Sequence, residues 1–82
     1  MMCQHCQIKP ATDKHHLFPQ YKLHKKLYPD YIHHSDNFLY VCNDCHLSKS
    51  ILKWDEIKFC LHFGIKPRTK SGVLLWRKRG LS

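Results

Sequence analysis

The sequence of 82 residues predicts a small α+β fold. Three observations support this fold class. Two C-x-x-C pairs lie far apart in the chain, a short apolar and β-prone run covers residues 38–41, and helical periodicity follows that run. A chain of this length buries only roughly 60–65% of its unfolded surface, so we expect a bound ion or another cross-link to supplement the core.

The four paired cysteines predict a structural zinc site. Two cysteines three residues apart on a tight turn place both sulfurs on one tetrahedral ion. Cys3 with Cys6 and Cys42 with Cys45 make a four-thiolate set, and the long gap between the pairs requires an inserted element. The fifth cysteine, Cys60, is interpreted as a small buried hydrophobe. Because no apolar leader and no run of transmembrane length is found, we expect an intracellular chain with thiolates on metal.

The charge of the chain favours a polyanionic partner. Fourteen Lys and Arg residues against six Asp and Glu residues give a formal charge of +8, and no acidic residue follows Glu56. The alternative is a basic surface that serves solubility alone. The basic residues expected to contact nucleic-acid phosphates are Lys49, Lys53, Lys66, Arg68, Lys70, Arg77, Lys78 and Arg79.

The chain between the two cysteine pairs is predicted to form a hairpin with an inserted helix. Residues 14–17 predict a first strand that pairs with a second strand over residues 37–41. Leucines at i and i+4 predict a short helix over residues 21–28, which Pro29 ends. Residues 30–36 are interpreted as a loop with surface histidines.

Helical periodicity begins at the second cysteine pair. Leu47, Ile51 and Trp54 lie at i, i+4 and i+7 and predict the apolar face of a helix. A further helix is predicted over residues 55–63. The pattern leaves open whether this helix continues the first one or whether the two are separated by a break near Lys53.

The last part of the chain is predicted to be a helix followed by a basic extension. Asp55 is expected to cap the helix, and Gly64 fits the position just past its end. Residues 1–64 are therefore taken as the domain with structural zinc and residues 65–82 as a basic C-terminal extension. The apolar cluster at residues 73–76 is expected to dock this extension onto the domain.

Histidines on the predicted strand and helix would face one another across a β-β-α unit. His15 and His16 lie on the first strand, and His46 begins the helix after the cysteine pair. A divalent ion at such a site would neutralise charge on a phosphate, and a neutral imidazole would remove a proton from water. An asparagine side chain or a backbone carbonyl would orient that imidazole.

This pattern resembles that of the HNH endonucleases, within the wider ββα-metal (His-Me finger) nucleases. The family pattern is C-x-x-C, then Asp/His-His-x-x-Pro, then Asn-Leu-x-x-x-Cys-x-x-Cys-His-x-x-Lys. The chain is similar to it from Cys3 to Lys49 and departs by carrying Phe38 in place of leucine, a conservative change. The resemblance implies a ββα-metal fold, here stapled by zinc and followed by an additional C-terminal helix and a basic tail.

The resemblance also implies a role for each matched residue. His16 matches the general base, while His15 and His46 match ligands of a catalytic divalent ion. Asn37 matches the residue that holds the catalytic loop and its base in place, and the four cysteines match the structural zinc site of many members. Asp13 would share a strand face with His15 and could supplement or replace it at the metal. His46 could alternatively displace one cysteine at the zinc.

The function that the resemblance implies is metal-dependent hydrolysis of DNA phosphodiester bonds. Zinc would be the structural metal, and Mg²⁺ or another divalent cation the catalytic one. The expected partner is double-stranded DNA, with a homodimer or a larger DNA-processing complex allowed and no membrane contact. Two alternatives are a non-catalytic zinc module that binds nucleic acid and an accessory subunit of a larger phage or restriction machine. A domain this small predicts low sequence specificity.

Overall fold

The predicted strand pair forms the one sheet found in residues 1–81, the part of the chain that this computed structural model describes. Strand β1 (Asp13–His16) pairs antiparallel with strand β2 (Phe38–Val41), and His15 lies opposite Leu39. Side chains alternate between the two faces of a strand, so Asp13 and His15 share one face while Lys14 and His16 share the other. The hairpin and the small α+β class are confirmed.

Four α-helices and one 3₁₀ turn complete the fold of residues 1–81. The helices are α1 (Lys22–Leu27), α2 (Asn43–His46), α3 (Glu56–Phe63) and α4 (Lys70–Lys78), and the 3₁₀ turn covers Ser35–Asn37. The longest of these helices has nine residues. No helix within residues 1–81 has the length and apolar character needed to cross a membrane.

Helix α1 confirms the helix predicted over residues 21–28. It ends at Leu27, and Tyr28 already has a non-helical φ of −124°. Residue 29 is proline, which disfavours the helical conformation of the residue before it, so the helix stops there. Tyr28 is fully buried and anchors the end of this short helix.

The helix predicted to carry Leu47, Ile51 and Trp54 on one face is wrong. Helix α2 ends at His46, and Leu47 is 75% exposed rather than buried. Ser48 accepts a hydrogen bond from the backbone N–H of Ser50 at 3.2 Å, a local bond that competes with helical ones. The backbone N–H of Trp54 then donates to the carbonyl of Leu17 at 2.8 Å, so the chain runs back towards the end of β1.

Helix α3 confirms the predicted helix over residues 55–63 and both of its predicted ends. The Asp55 side chain accepts a hydrogen bond from the N–H of Lys58 at 2.8 Å. Gly64 follows the helix with a φ of +66°, the left-handed conformation that glycine adopts without steric cost. This helix buries Ile57, Phe59 and Cys60.

The predicted basic extension contains helix α4, which its sequence pattern did not indicate. Thr69 caps α4 by accepting a hydrogen bond from Gly72 N–H at 2.9 Å. The apolar cluster docks through Trp76, which is 9% exposed, whereas Leu74 and Leu75 are 65% and 38% exposed. Trp76 is therefore the side chain of this cluster that packs most deeply against the domain.

Two separate cores hold residues 1–81 together. The larger core lies under α1, α3 and α4 and contains Phe18, Tyr28, Ile32, Ile57, Phe59, Cys60 and Trp76. The smaller core lies at the other end of the hairpin and contains Cys3, Val41, Cys42, Cys45 and Ile51. Apart from its cysteines, the smaller core has two buried aliphatic side chains.

A hydrogen-bonded carboxylate joins α4 to the larger core. Glu56 accepts hydrogen bonds from the Tyr28 hydroxyl and from both the N–H and the hydroxyl of Thr69. Gly72 lies directly against this carboxylate. A β-carbon added at position 72 would be 2.0 Å from Glu56 Oε1, which is too close for any side chain. The close approach of α4 to Glu56 thus requires glycine at position 72.

We predict that Gly72→Ala destabilises the protein by about 1–3 kcal/mol, because the added methyl group displaces a carboxylate that three hydrogen bonds hold. The matched control is Ser71→Ala, at an exposed neighbour on the same helix, which should change stability by less than about 0.5 kcal/mol. Urea unfolding followed by circular dichroism measures both. A Gly72→Ala protein as stable as the wild type would contradict this role of the close approach.

Candidate active site and metal centre

The four paired cysteines converge on one point, as the sequence predicts. Their sulfur atoms all lie within 4.8 Å of one another, and Cys6 Sγ lies 3.9 Å from Cys42 Sγ. A tetrahedral ion with zinc–sulfur bonds of ~2.3 Å separates its sulfurs by about 3.8 Å. The cluster therefore fits a metal ion such as zinc, and it is the one group of three or more adjacent metal-binding side chains in residues 1–81.

Hydrogen bonds from backbone N–H groups lower the pKa values of the N-terminal cysteine pair, which favours the thiolate form that binds a cation. Burial raises the pKa of the Cys3 thiol, but hydrogen bonds from the N–H groups of Cys6, Cys42 and His5 outweigh it and lower that pKa to about 5. Hydrogen bonds from the backbone of Ile8 and Lys9 lower the pKa of Cys6. Part of the cluster is therefore anionic at neutral pH even without metal.

At Cys45 of the second pair, burial decides the net shift of the pKa. It raises the pKa of Cys45 to about 12, helped by hydrogen bonds that the Cys45 thiol donates to neighbouring cysteine sulfurs. Zinc binds the thiolate form, so this cysteine would release its proton when an ion binds. Cys60 stays outside the cluster, and burial in the larger core raises its pKa, as expected for an inert structural thiol.

The three histidines singled out by sequence line one cleft. The cleft has a volume of about 320 Å³ and lies beside β1, the start of α1 and the end of α2. Its walls are formed by Lys14, His15, His16, Pro19, Gln20, Tyr21, His46 and Lys53. Both adjacent histidines of β1 reach it although they leave opposite faces of the strand, so the cleft straddles the edge of the hairpin.

His15 is held in one tautomer by a backbone carbonyl. Its side chain is 7% exposed, and Nε2 lies 2.9 Å from the carbonyl oxygen of Leu52. A carbonyl oxygen accepts hydrogen bonds only, so Nε2 carries the hydrogen and Nδ1 is the nitrogen of a neutral His15 ring that can bind a metal. The rings of His15 and His46 meet edge to face with their centroids 5.5 Å apart.

His46 is held in one tautomer by Asp13. Its Nδ1 lies 3.0 Å from Asp13 Oδ2, and the same oxygen accepts a hydrogen bond from Asn43 Nδ2 at 3.2 Å. These two hydrogen bonds, that from His46 first, hold the pKa of Asp13 below its ordinary value. The ionised carboxylate accepts the Nδ1 hydrogen, so Nε2 is the nitrogen of a neutral His46 ring that can bind a metal.

His16 lies on the opposite strand face from His15, beside a loop histidine. Its Nε2 is 3.4 Å from Nδ1 of His33, and its ring tilts against that of Phe38 at a centroid distance of 6.0 Å. Partial burial lowers the pKa of His16, and electrostatic interactions of its ring with His33, Lys14 and His15 lower it further. The imidazole is therefore neutral at neutral pH.

Asn37 fixes the chain that leaves β1 after His16. It is fully buried, and its Oδ1 accepts a hydrogen bond from Phe18 N–H at 2.9 Å. Its Nδ2 donates to the carbonyls of Ile32 and Phe18 at 2.8 and 3.2 Å. Its own carbonyl accepts from Leu17 N–H at 2.7 Å. The asparagine thus ties the loop after α1 to the residues that follow the paired histidines.

The basic residues expected to bind phosphates divide into different environments. Lys53 lines the cleft together with Lys14, which the sequence did not single out. Arg68 forms a two-pronged ion pair with Asp30 at 3.0 and 3.4 Å and donates to the carbonyl of Leu27, which makes it part of the fold. The others, none of which lines the cleft, are Lys49, Lys66, Lys70, Arg77, Lys78 and Arg79.

Sequence reasoning missed two partners of the histidines. The sequence left open whether Asp13 supplements or replaces His15 at a metal, and in the structure its carboxylate hydrogen-bonds His46. Its i,i+2 spacing from His15 placed it on the correct face, but no local pattern shows which side chain it meets. The contact of His15 with the Leu52 carbonyl could not be predicted, because the sequence predicted this stretch to be helical. A carbonyl inside a helix is already hydrogen-bonded within that helix.

Comparison of the chain with protein-family models, with characterised proteins and with solved structures gave no match. The likeness to the HNH endonucleases therefore depends on the motif residues alone.

We predict that the protein binds one zinc ion per chain through the four cysteines and that removing it abolishes cooperative thermal unfolding, because the smaller core has few other side chains. Cys42→Ser should lose the metal. The matched control is Cys60→Ala, a buried cysteine outside the cluster, which should retain one zinc. Atomic emission and circular dichroism measure both, and a metal-free wild-type protein with an unchanged melting curve would contradict the prediction.

Proposed function

We propose that this protein is a metal-dependent endonuclease of the HNH kind, which hydrolyses phosphodiester bonds of DNA in the histidine-lined cleft. The observation that carries the proposal is that His15, His16 and His46 line one cleft. The motif resemblance assigns these same three residues to the reaction. A chain with a formal charge of +8 suits a polyanionic substrate.

The two proposed ligand histidines have the surroundings typical of metal-binding histidines. Such a residue donates its other ring N–H to a carboxylate or a carbonyl, which fixes the tautomer and raises the basicity of the ligand nitrogen. Asp13 and the Leu52 carbonyl are such acceptors for His46 and His15. Two imidazole donors suit Zn²⁺ or Ni²⁺ better than Mg²⁺, which prefers oxygen.

A divalent ion on these nitrogens would supply charge neutralisation at the scissile phosphate. The protein's own residues supply the remaining functions. His16, neutral at neutral pH, would take the proton of the attacking water. Lys14 and Lys53 would attract the phosphates that flank the cleaved bond. Asn37 is a positioning residue, because it fixes the backbone just after His16.

We predict that His16→Ala lowers the cleavage rate by at least about 10²-fold, because the reaction loses its general base. The matched control is His62→Ala, an exposed histidine of α3 that does not line the cleft and should cut like the wild type. Plasmid cleavage is measured with Mg²⁺, Mn²⁺, Ni²⁺ and Zn²⁺ in turn. Equal rates for His16→Ala and wild type would contradict the mechanism, and DNA binding without cleavage in every metal would favour the non-catalytic zinc module.

We predict that Asp13→Asn weakens binding of the cleft metal by about 10- to 100-fold, because a neutral amide replaces the ionised carboxylate that raises the basicity of the ligand nitrogen of His46. The matched control is Asp36→Asn, which alters a similar carboxylate–histidine contact to His62 outside the cleft. Calorimetric titration of Ni²⁺ into protein that already holds its cysteine-bound zinc measures the affinity. Equal affinities of Asp13→Asn and wild type would exclude a contribution of the Asp13 charge to metal binding by His46.

A further inference from the structure

An exposed tyrosine at the edge of the cleft has no role in the chemistry proposed above. Tyr21 immediately precedes α1, is 66% exposed and lines the cleft together with the three histidines. Its side chain makes no capping hydrogen bond to the helix. A large aromatic surface therefore faces the cleft without any evident contribution to the fold.

A column of stacked rings supports Tyr21 from behind. Its ring stacks on His24 at a centroid distance of 5.2 Å and an interplanar angle of 30°. His24 stacks on Phe18 at 4.0 Å and 20°, and Phe18 stacks on the fully buried Phe59 at 4.5 Å and 24°. The column therefore runs from the edge of the cleft into the larger core.

The second ring of the column is locked in place. His24 Nδ1 lies 2.7 Å from the carbonyl oxygen of Pro19, so this nitrogen donates the hydrogen and the ring cannot turn freely. Pro19 itself lines the cleft. A rigid, supported aromatic face loses little conformational entropy when a second planar group stacks on it.

We propose that Tyr21 is a stacking platform for an unpaired nucleobase next to the cleaved phosphate, so that single-stranded or locally opened DNA is the preferred substrate. This inference deepens the proposed function and rests on it. Every base has a π-face, so stacking on an aromatic side chain recognises nucleic acid without reading its sequence. A base in a duplex is already stacked on both sides and reaches such a platform only after opening.

The charges around the platform suit the same ligand. Lys14 and Lys53 line the cleft with Tyr21, and an acidic side chain is absent from the residues that line it. A strand whose base stacks on Tyr21 would therefore have its phosphates among cations and near the three histidines. Aromatic stacking combined with a positively charged groove is the usual arrangement for binding single strands.

The experiment measures binding of a single-stranded oligodeoxynucleotide that carries 2-aminopurine, using the full chain with its cysteine-bound zinc and no added divalent cation. Tyr21→Ala should weaken binding about 5- to 150-fold and abolish the fluorescence quenching that stacking causes, while Tyr21→Trp should retain both. The matched control is Tyr40→Ala, an exposed tyrosine of β2 that does not line the cleft. The same oligonucleotide in a fully paired duplex should bind more weakly and show no added quenching.

Equal affinity and quenching for Tyr21→Ala and wild type would overturn the platform, as would tighter binding of the duplex. Binding is measured without added cation, so its result is independent of cleavage. Tyr21-dependent quenching together with unchanged cleavage by His16→Ala would support the platform and refute the proposed general base. Loss of cleavage in His16→Ala with no effect of Tyr21 would do the reverse.

Discussion

The convergence of four cysteines is the constraint on which the hairpin depends. The smaller core contains three buried cysteines and, besides them, only Val41 and Ile51 within the described residues. Two aliphatic side chains cannot offset the conformational entropy of ordering the N-terminal segment and α2. The four thiols lie within 4.8 Å of one another. The pKa of Cys3 is lowered to about 5 and that of Cys45 is raised to about 12, so without a cation the cluster combines a thiolate with a thiol that resists ionisation. A bound ion would neutralise the thiolate charge and would offset the conformational entropy lost when these segments become ordered.

Asn37 carries this order from the hairpin to the larger core. Its backbone ends the 3₁₀ turn directly before β2, while its side chain holds backbone groups of Phe18 and Ile32. Both of those residues belong to the larger core. The side-chain oxygen and nitrogen of this buried amide both have hydrogen-bond partners. Asn37 therefore fixes the position of these backbone groups, and burying its polar side chain costs little free energy. The three histidines are therefore held between a cysteine cluster on one side and this amide on the other.

Local chemistry was sufficient to predict the hairpin, α1 and α3, because each has its signal within a few residues. Pro29 ends α1, and Asp55 and Gly64 bound α3. The cysteine cluster could also be predicted, since two C-x-x-C pairs are the typical spacing of a four-thiolate zinc site. The helix predicted after the second pair failed for a different reason. Its apolar periodicity was real, but contacts with β1, distant in sequence, decide the conformation of that stretch.

That failure lies at the proposed active site, and the two facts are connected. In a continuous helix the Leu52 carbonyl would bond an N–H four residues later and could not reach a side chain. Because α2 ends at His46, residues 47–54 run back along the hairpin and bring this carbonyl to His15. The same break leaves His46 at the end of a one-turn helix, where Asp13 can meet its ring. The chain thus loses the hydrogen bonds of a longer helix, and His15 and His46 gain partners that fix their tautomers. Sites of this kind are where local sequence preference and structure are expected to disagree.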